Sequence, residues 1–132
     1  MSTREIVEAI CTLPDVFRAG SQSAVDLIRL SGLPESPQSL TRAEVLALLS
    51  ERPGLVDSWL QWSEDKRTSS GWFFVSEASD FVVGFHPKGE RLVFSDRTEA
   101  CAEFVLREAA DLIVSLRSNN AFKGRRAKRA RP

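Results

Sequence analysis

Residues that carry chemistry are scarce in this chain. It has one histidine, His86, and two cysteines, Cys11 and Cys101. A Ser-His-Asp arrangement would need His86 as its base. That residue ends a strand-like run before Pro87, where a histidine is more often a surface or hydrogen-bonded group. The cysteines form no CxxC pair and have no ligand-type neighbours, so they read as buried free thiols, and neither a metal nor a cofactor is expected. No apolar run approaches the roughly 20 residues that span a bilayer. The first residues, Met1-Ser-Thr-Arg-Glu-Ile6, are charged where a signal peptide needs an unbroken apolar stretch, so a cytoplasmic location is expected. There is no internal repeat and, before the C-terminal tail, no low-complexity segment.

Two further patterns fail on inspection. Gly84-Phe-His-Pro-Lys-Gly-Glu90 spaces its glycines like a phosphate loop, but Glu90 stands where the lysine is required and the segment joins two strands. Glu64, Asp65, Glu77 and Asp80 flank turns, where solvated carboxylates are the default and a hydrolytic acid pair is the exception. An enzyme is therefore not expected.

What is present is ordinary soluble composition, 42% hydrophobic and 27% charged, with a net charge of zero that hides a split. Residues 1–116 hold 11 basic against 18 acidic side chains, a net of −7, and all seven remaining basic residues follow. An acidic body steers basic partners toward itself. The end, Asn119 to Pro132, has one aromatic and cannot bury enough apolar surface to order itself. The chain thus divides into a single domain over 1–117 and a disordered basic tail over 118–132.

Ser2 and Glu5 are spaced as a capping box, and Ile6, Val7, Ile10 and Cys11 give the helix that follows one apolar face, which Pro14 ends or kinks. A short helix with Val25, Leu27, Ile28 and Leu30 stops at Gly32. Thr41 and Glu44 cap another, ending near Arg52, and Pro53 suits the first turn of the next. There Leu55, Val56, Trp59 and Leu60 form an inward stripe with Trp62 at its edge. The period then changes. Gly71–Val75, Phe81–His86 and Arg91–Ser95 read as three strands of an antiparallel meander. Asp96 and Glu99 cap a long last helix, whose inward row is Cys101, Phe104, Val105, Leu112, Ile113 and Leu116. Strand alternation puts Trp72, Phe74, Phe81, Val83, Phe85, Leu92 and Phe94 on a bulky face that should pack on this helix. Phe73, Val75, Val82, Gly84, His86, Arg91, Val93 and Ser95 fall on a mixed face, either covered by the N-terminal helices or left open to another protein. The fold class is α+β.

Trp and Arg dominate binding hot spots. Trp62, Glu64, Asp65 and Arg67 mix an aromatic edge with both signs of charge beside the start of the sheet. With Glu77, Asp80 and His86 they are the candidate partner-binding residues. Nucleic acid is the second reading, through Lys123, Arg125, Arg126, Lys128, Arg129 and Arg131. A helix-turn-helix is excluded by the long, proline-rich connection between the helices near 21–31 and 41–52.

The stretch WLQWSEDKRTSSGWFF … DFVVGFHPKGERLVFSDRTEACAEFVLREA resembles small bacterial α+β proteins of the polymorphic-toxin immunity type, over about residues 55–113. The shared features are a helix ending in a Trp/Ser/acid/Lys/Arg run, a Gly-Trp-aromatic strand, a glycine-containing second strand and a closing helix with an acidic cap. The resemblance implies a stoichiometric inhibitor that covers the active site of a cognate toxin, and it carries over no catalytic motif; the acidic body makes a basic toxin domain the expected partner. The basic tail departs from the compact acidic protein that the resemblance implies.

Overall fold

The structure, a computed structural model, describes residues 2–66, 71–87 and 89–129, with side chains as far as Ser118. Helix α1 (Thr3–Cys11) opens on a reciprocal capping box, with the Glu5 N–H donating to Ser2 Oγ and the Ser2 N–H to the Glu5 carboxylate, each at 3.2 Å. Pro14 neither ends nor kinks α1. It sits in the first turn of a separate helix, α2 (Leu13–Ala19), where a missing N–H costs nothing. Helices α3 (Ala24–Leu30), α4 (Arg42–Glu51) and α5 (Gly54–Asp65) follow, the first two capped by the Ser23 and Thr41 hydroxyls. Gly32, at φ 85°, takes the left-handed turn out of α3.

Strands β1 (Gly71–Glu77), β2 (Asp80–His86) and β3 (Arg91–Phe94) form an antiparallel sheet in the order β1-β2-β3. The first two run further than the sequence pattern suggests, because Glu77 pairs with Asp80 across a two-residue turn, Ala78-Ser79. Ala78 accepts φ 57° to make that turn. The His86–Pro87 peptide is cis. Helix α6 (Arg97–Arg129) is capped by Asp96, whose carboxylate accepts the Glu99 N–H at 2.9 Å. Its backbone enters the 118–132 segment.

The long helix does more than cover the sheet. It packs on all three strands with one side and on α1, α3, α4 and α5 with others, so it forms the axis of the molecule. Cys101, Phe104, Val105, Ile113 and Leu116 are buried as the helical spacing predicts, while Leu112 is half-buried. Ala100, Ala102 and Ala109 are buried too, small residues that let neighbouring elements approach from several directions. Trp59 is 1% exposed, and its indole N–H donates to the Cys11 carbonyl at 2.9 Å. A chain of ring contacts, Phe17–Trp62–Trp59–Phe104–Phe74, with centroids 5.1 to 5.8 Å apart, ties α2, α5, α6 and β1 together. Cys11 and Cys101 are both buried free thiols, and burial pushes the Cys11 thiol up to about 12.

Candidate functional site

The side of the sheet turned away from α6 is the most open apolar surface the strands offer. α5 and α6 are the helices packed on the sheet, and the four N-terminal helices leave its second face uncovered. That face carries Phe73, Val75 and Glu77 from β1, Asp80, Val82, Gly84 and His86 from β2, and Arg91 and Val93 from β3, as the register requires. Val93 is 59% exposed, and Phe73 and Val75 are half-buried.

Val82 at its centre is only 2% exposed, yet it lies outside the main core cluster. It is flanked by Val75 and Val93 on the outer strands, and an ion pair crosses above it. The Arg91 guanidinium reaches the Glu77 carboxylate at 2.7 Å, from β3 to β1. Gly84 pairs with both Phe73 and Arg91, and Asp80 pairs with Glu77, so a bridge between positions 91 and 77 passes over Val82. Next along β2, Gly84 makes room for the Phe73 ring, since a Cβ there would stand 2.5 Å from Phe73 Cζ. The glycine lets an aromatic lie across the middle strand.

Depressions surround this face. An open groove of about 600 Å³ runs between α5 and β1, lined by Asp57, Leu60, Gln61 and Glu64 opposite Phe74–Ser76. A smaller hollow of about 190 Å³ lies where Lys66 and Ser63 meet Phe73, Val75 and His86. A third, of about 440 Å³, is lined by Phe73, Phe85, His86, Pro87 and Gly89–Arg91. Five carboxylates stand around it, and three are paired with arginines: Asp57 with Arg97, Glu77 with Arg91 and Glu90 with Arg107, while Glu64 and Asp80 complete the set. Ser63 secures the α5 edge by accepting the Phe74 N–H at 2.7 Å, so α5 closes the outer edge of β1 at that point.

The candidate residues are distributed unevenly over this surface. Glu77, Asp80 and His86 share the open face, with His86 at the opposite end of the hairpin from the other two. Six residues separate the ends, about 20 Å of strand. Glu64 faces Val75 across the groove. Asp65 accepts from Gln61 at 2.9 Å and lies 3.9 Å from Arg18, on the side of α5 toward α2. Trp62 is half-buried, and its indole N–H donates to Glu108 at 2.7 Å. Arg67 lies outside the described residues, as do the side chains of Lys123, Arg125, Arg126, Lys128 and Arg129 and the whole of Arg131.

Sequence reasoning missed two buried carboxylates on α6. Glu108, 2% exposed, receives Lys66 Nζ at 2.7 and 2.9 Å as well as the Trp62 indole. Lys66, just past the end of α5, thus ties that helix to α6. Glu103 accepts from Arg42 and, at 2.7 Å, from Arg107. Burial pushes the Glu103 carboxyl up, but the hydrogen bonds and charges of Arg107 and Arg42 outweigh it and hold the group below its ordinary value. Arg107 also lies over the Trp72 ring, 4.9 Å from its centroid. Every buried side-chain nitrogen and oxygen among the described residues has a partner, so these carboxylates act as struts within the core.

Among the described residues no group of three or more His, Cys, Asp or Glu side chains is placed to hold a metal ion, and no helix is long and apolar enough to cross a membrane. No protein-family model, curated protein or solved structure matches the chain. The structure is an α+β arrangement whose long C-terminal helix packs on a three-stranded antiparallel sheet.

Proposed function

We propose that the chain is a stoichiometric protein-binding inhibitor of the immunity type, working in the cytoplasm by occupancy and without catalysis. Its open sheet face would cover the active site of a basic toxin domain. The observation that carries this reading is the apolar centre of that face, Phe73, Val75 and Val93, on a body whose residues 1–116 carry a net charge of −7. Apolar side chains of this kind supply the desolvated part of an interface, and the acidic body speeds encounter with a positive partner and excludes negative ones. A toxin that acts on nucleic acid or nucleotides has a positive substrate site, which suits such a body.

The test uses the tagged full-length chain as bait in cells that make it. The reading expects a retained basic enzyme whose activity falls to zero at one equivalent of inhibitor, and expects Val93→Asp to release it. Retention of nucleic acid alone, lost when the tail lysines and arginines are changed to glutamine, would support the tail-driven alternative instead.

A further inference from the structure

The cations of the body and those of the C-terminal end are used in opposite ways. Each lysine and arginine described in residues 1–116 lies 3.9 Å or less from a carboxylate. The body thus neutralises its own positive charge. The remaining seven basic residues stand apart. Arg117, the first of them, is exposed and forms no ion pair among the described residues. After Asp111 the sequence holds no acid at all, while the backbone of α6 continues as helix to Arg129. Lys123 follows Asp111 by twelve residues, about 18 Å along a helix, which is twice the Debye length of about 8 Å at physiological salt. The acids of α6 are therefore screened from the end of their own helix.

The density of charge on this arm identifies what it holds. Lys123, Arg125, Arg126, Lys128 and Arg129 place five cations on about 9 Å of helix, one per about 2 Å. They recur at i+3 and i+4, where like charges repel and weaken a helix until an anion neutralises them. Duplex nucleic acid carries one negative charge per about 1.7 Å, a matching density. The body of a second copy matches less well, since its carboxylates are spread over a globular surface and many are already held by arginines. An anionic membrane would need an apolar face beside the cations, and residues 119–131 offer only Phe122 and three alanines. Three of the five are arginines, whose planar fork suits phosphate oxygens. We infer that the C-terminal arm of α6 is a second binding site, which takes the phosphate backbone of nucleic acid and is separate from the sheet face. It does not rest on the sheet-face reading, and a bait that retains both a protein and nucleic acid agrees with both.

Fluorescence anisotropy of the full chain with a labelled DNA duplex tests this. Six contacts, from Lys123 to Arg131, should give log K a slope of about −5 against log salt, a loss of about a thousandfold between about 50 and about 200 mM NaCl. Single-stranded RNA should give a slope of about −4, and the tighter of the two probes identifies the kind of nucleic acid. Lys123→Gln with Arg125→Gln and Arg126→Gln should roughly halve the duplex slope, since about 0.9 is lost per contact. Val75→Asp with Val93→Asp should leave it unchanged. Absence of binding to both probes at about 50 mM NaCl, or binding indifferent to the triple substitution, would overturn the inference. So would tighter uptake by phosphatidylserine vesicles than by either nucleic acid, or a salt-dissolved oligomer of the chain alone that the triple substitution abolishes and the duplex cannot displace.

Discussion

Trp59 carries the largest buried side chain of the core, and its one polar atom is satisfied by the Cys11 carbonyl. Trp59→Ala should therefore cost about 3–5 kcal/mol in urea unfolding, through a cavity and an orphaned carbonyl together; a loss under about 1 kcal/mol would place the residue outside the core. Lys66 and Glu108 are a different case, a nearly buried pair whose worth lies in its completeness. Lys66→Met leaves Glu108 charged with only the Trp62 indole as donor, and should cost about 3–5 kcal/mol. Adding Glu108→Gln removes the charge and keeps an acceptor for Trp62, so the double variant should be the more stable of the two. Glu103 yields a prediction in pH. Its folded-state value is depressed, so its contribution is fully present above the ordinary carboxylate value and is lost as pH falls through the lower folded one. Stability should fall with acid across that window, and Glu103→Gln should flatten the slope there. An unchanged slope would show that Glu103 is not linked to folding.

Among the elements, the strands and most helices were legible because their signals are local. Ser2/Glu5, Thr41 and Asp96 announce helix starts by side chains three residues from the groups they bind. Alternation from Trp72 to Phe85 separates a core face from an open one, and the register agrees with it. What was not legible depends on distant partners. Glu103 and Glu108 read as surface acids on a helix, and their burial follows only from α6 being surrounded, with Arg42 and Lys66 arriving from other helices. Pro14 looked like an ending because nothing local says that Thr12 hands the chain to a new helix. The open face was legible as a mixed one. The Arg91–Glu77 bridge over Val82 was not, since it joins two outer strands. Gly84 links element to site. Gly84→Ala should push the Phe73 ring off β2 and cost about 1–3 kcal/mol by overpacking, while partner affinity falls further than that stability loss explains. Full affinity with a displaced ring would remove Phe73 from the contact.

At the scale of the whole molecule, the charge split and the packing suggest a division of labour. The core elements meet around α6, and the apolar centre and the carboxylates around it lie together on one side of the sheet. The basic residues after Leu116 are set apart from the acidic body in sequence. The claim at the centre is that the sheet face, and not this cationic end, holds the partner. Calorimetric titration of the retained partner against two full-length variants tests it most directly. One carries Val75→Asp with Val93→Asp, and the other has its tail lysines and arginines replaced by glutamine. The account predicts that the first variant loses affinity by at least about 100-fold, as removal of a hot spot does, and that the second stays within a few-fold of the unaltered chain. The reverse pattern, a tolerant face and an indispensable tail, would contradict it.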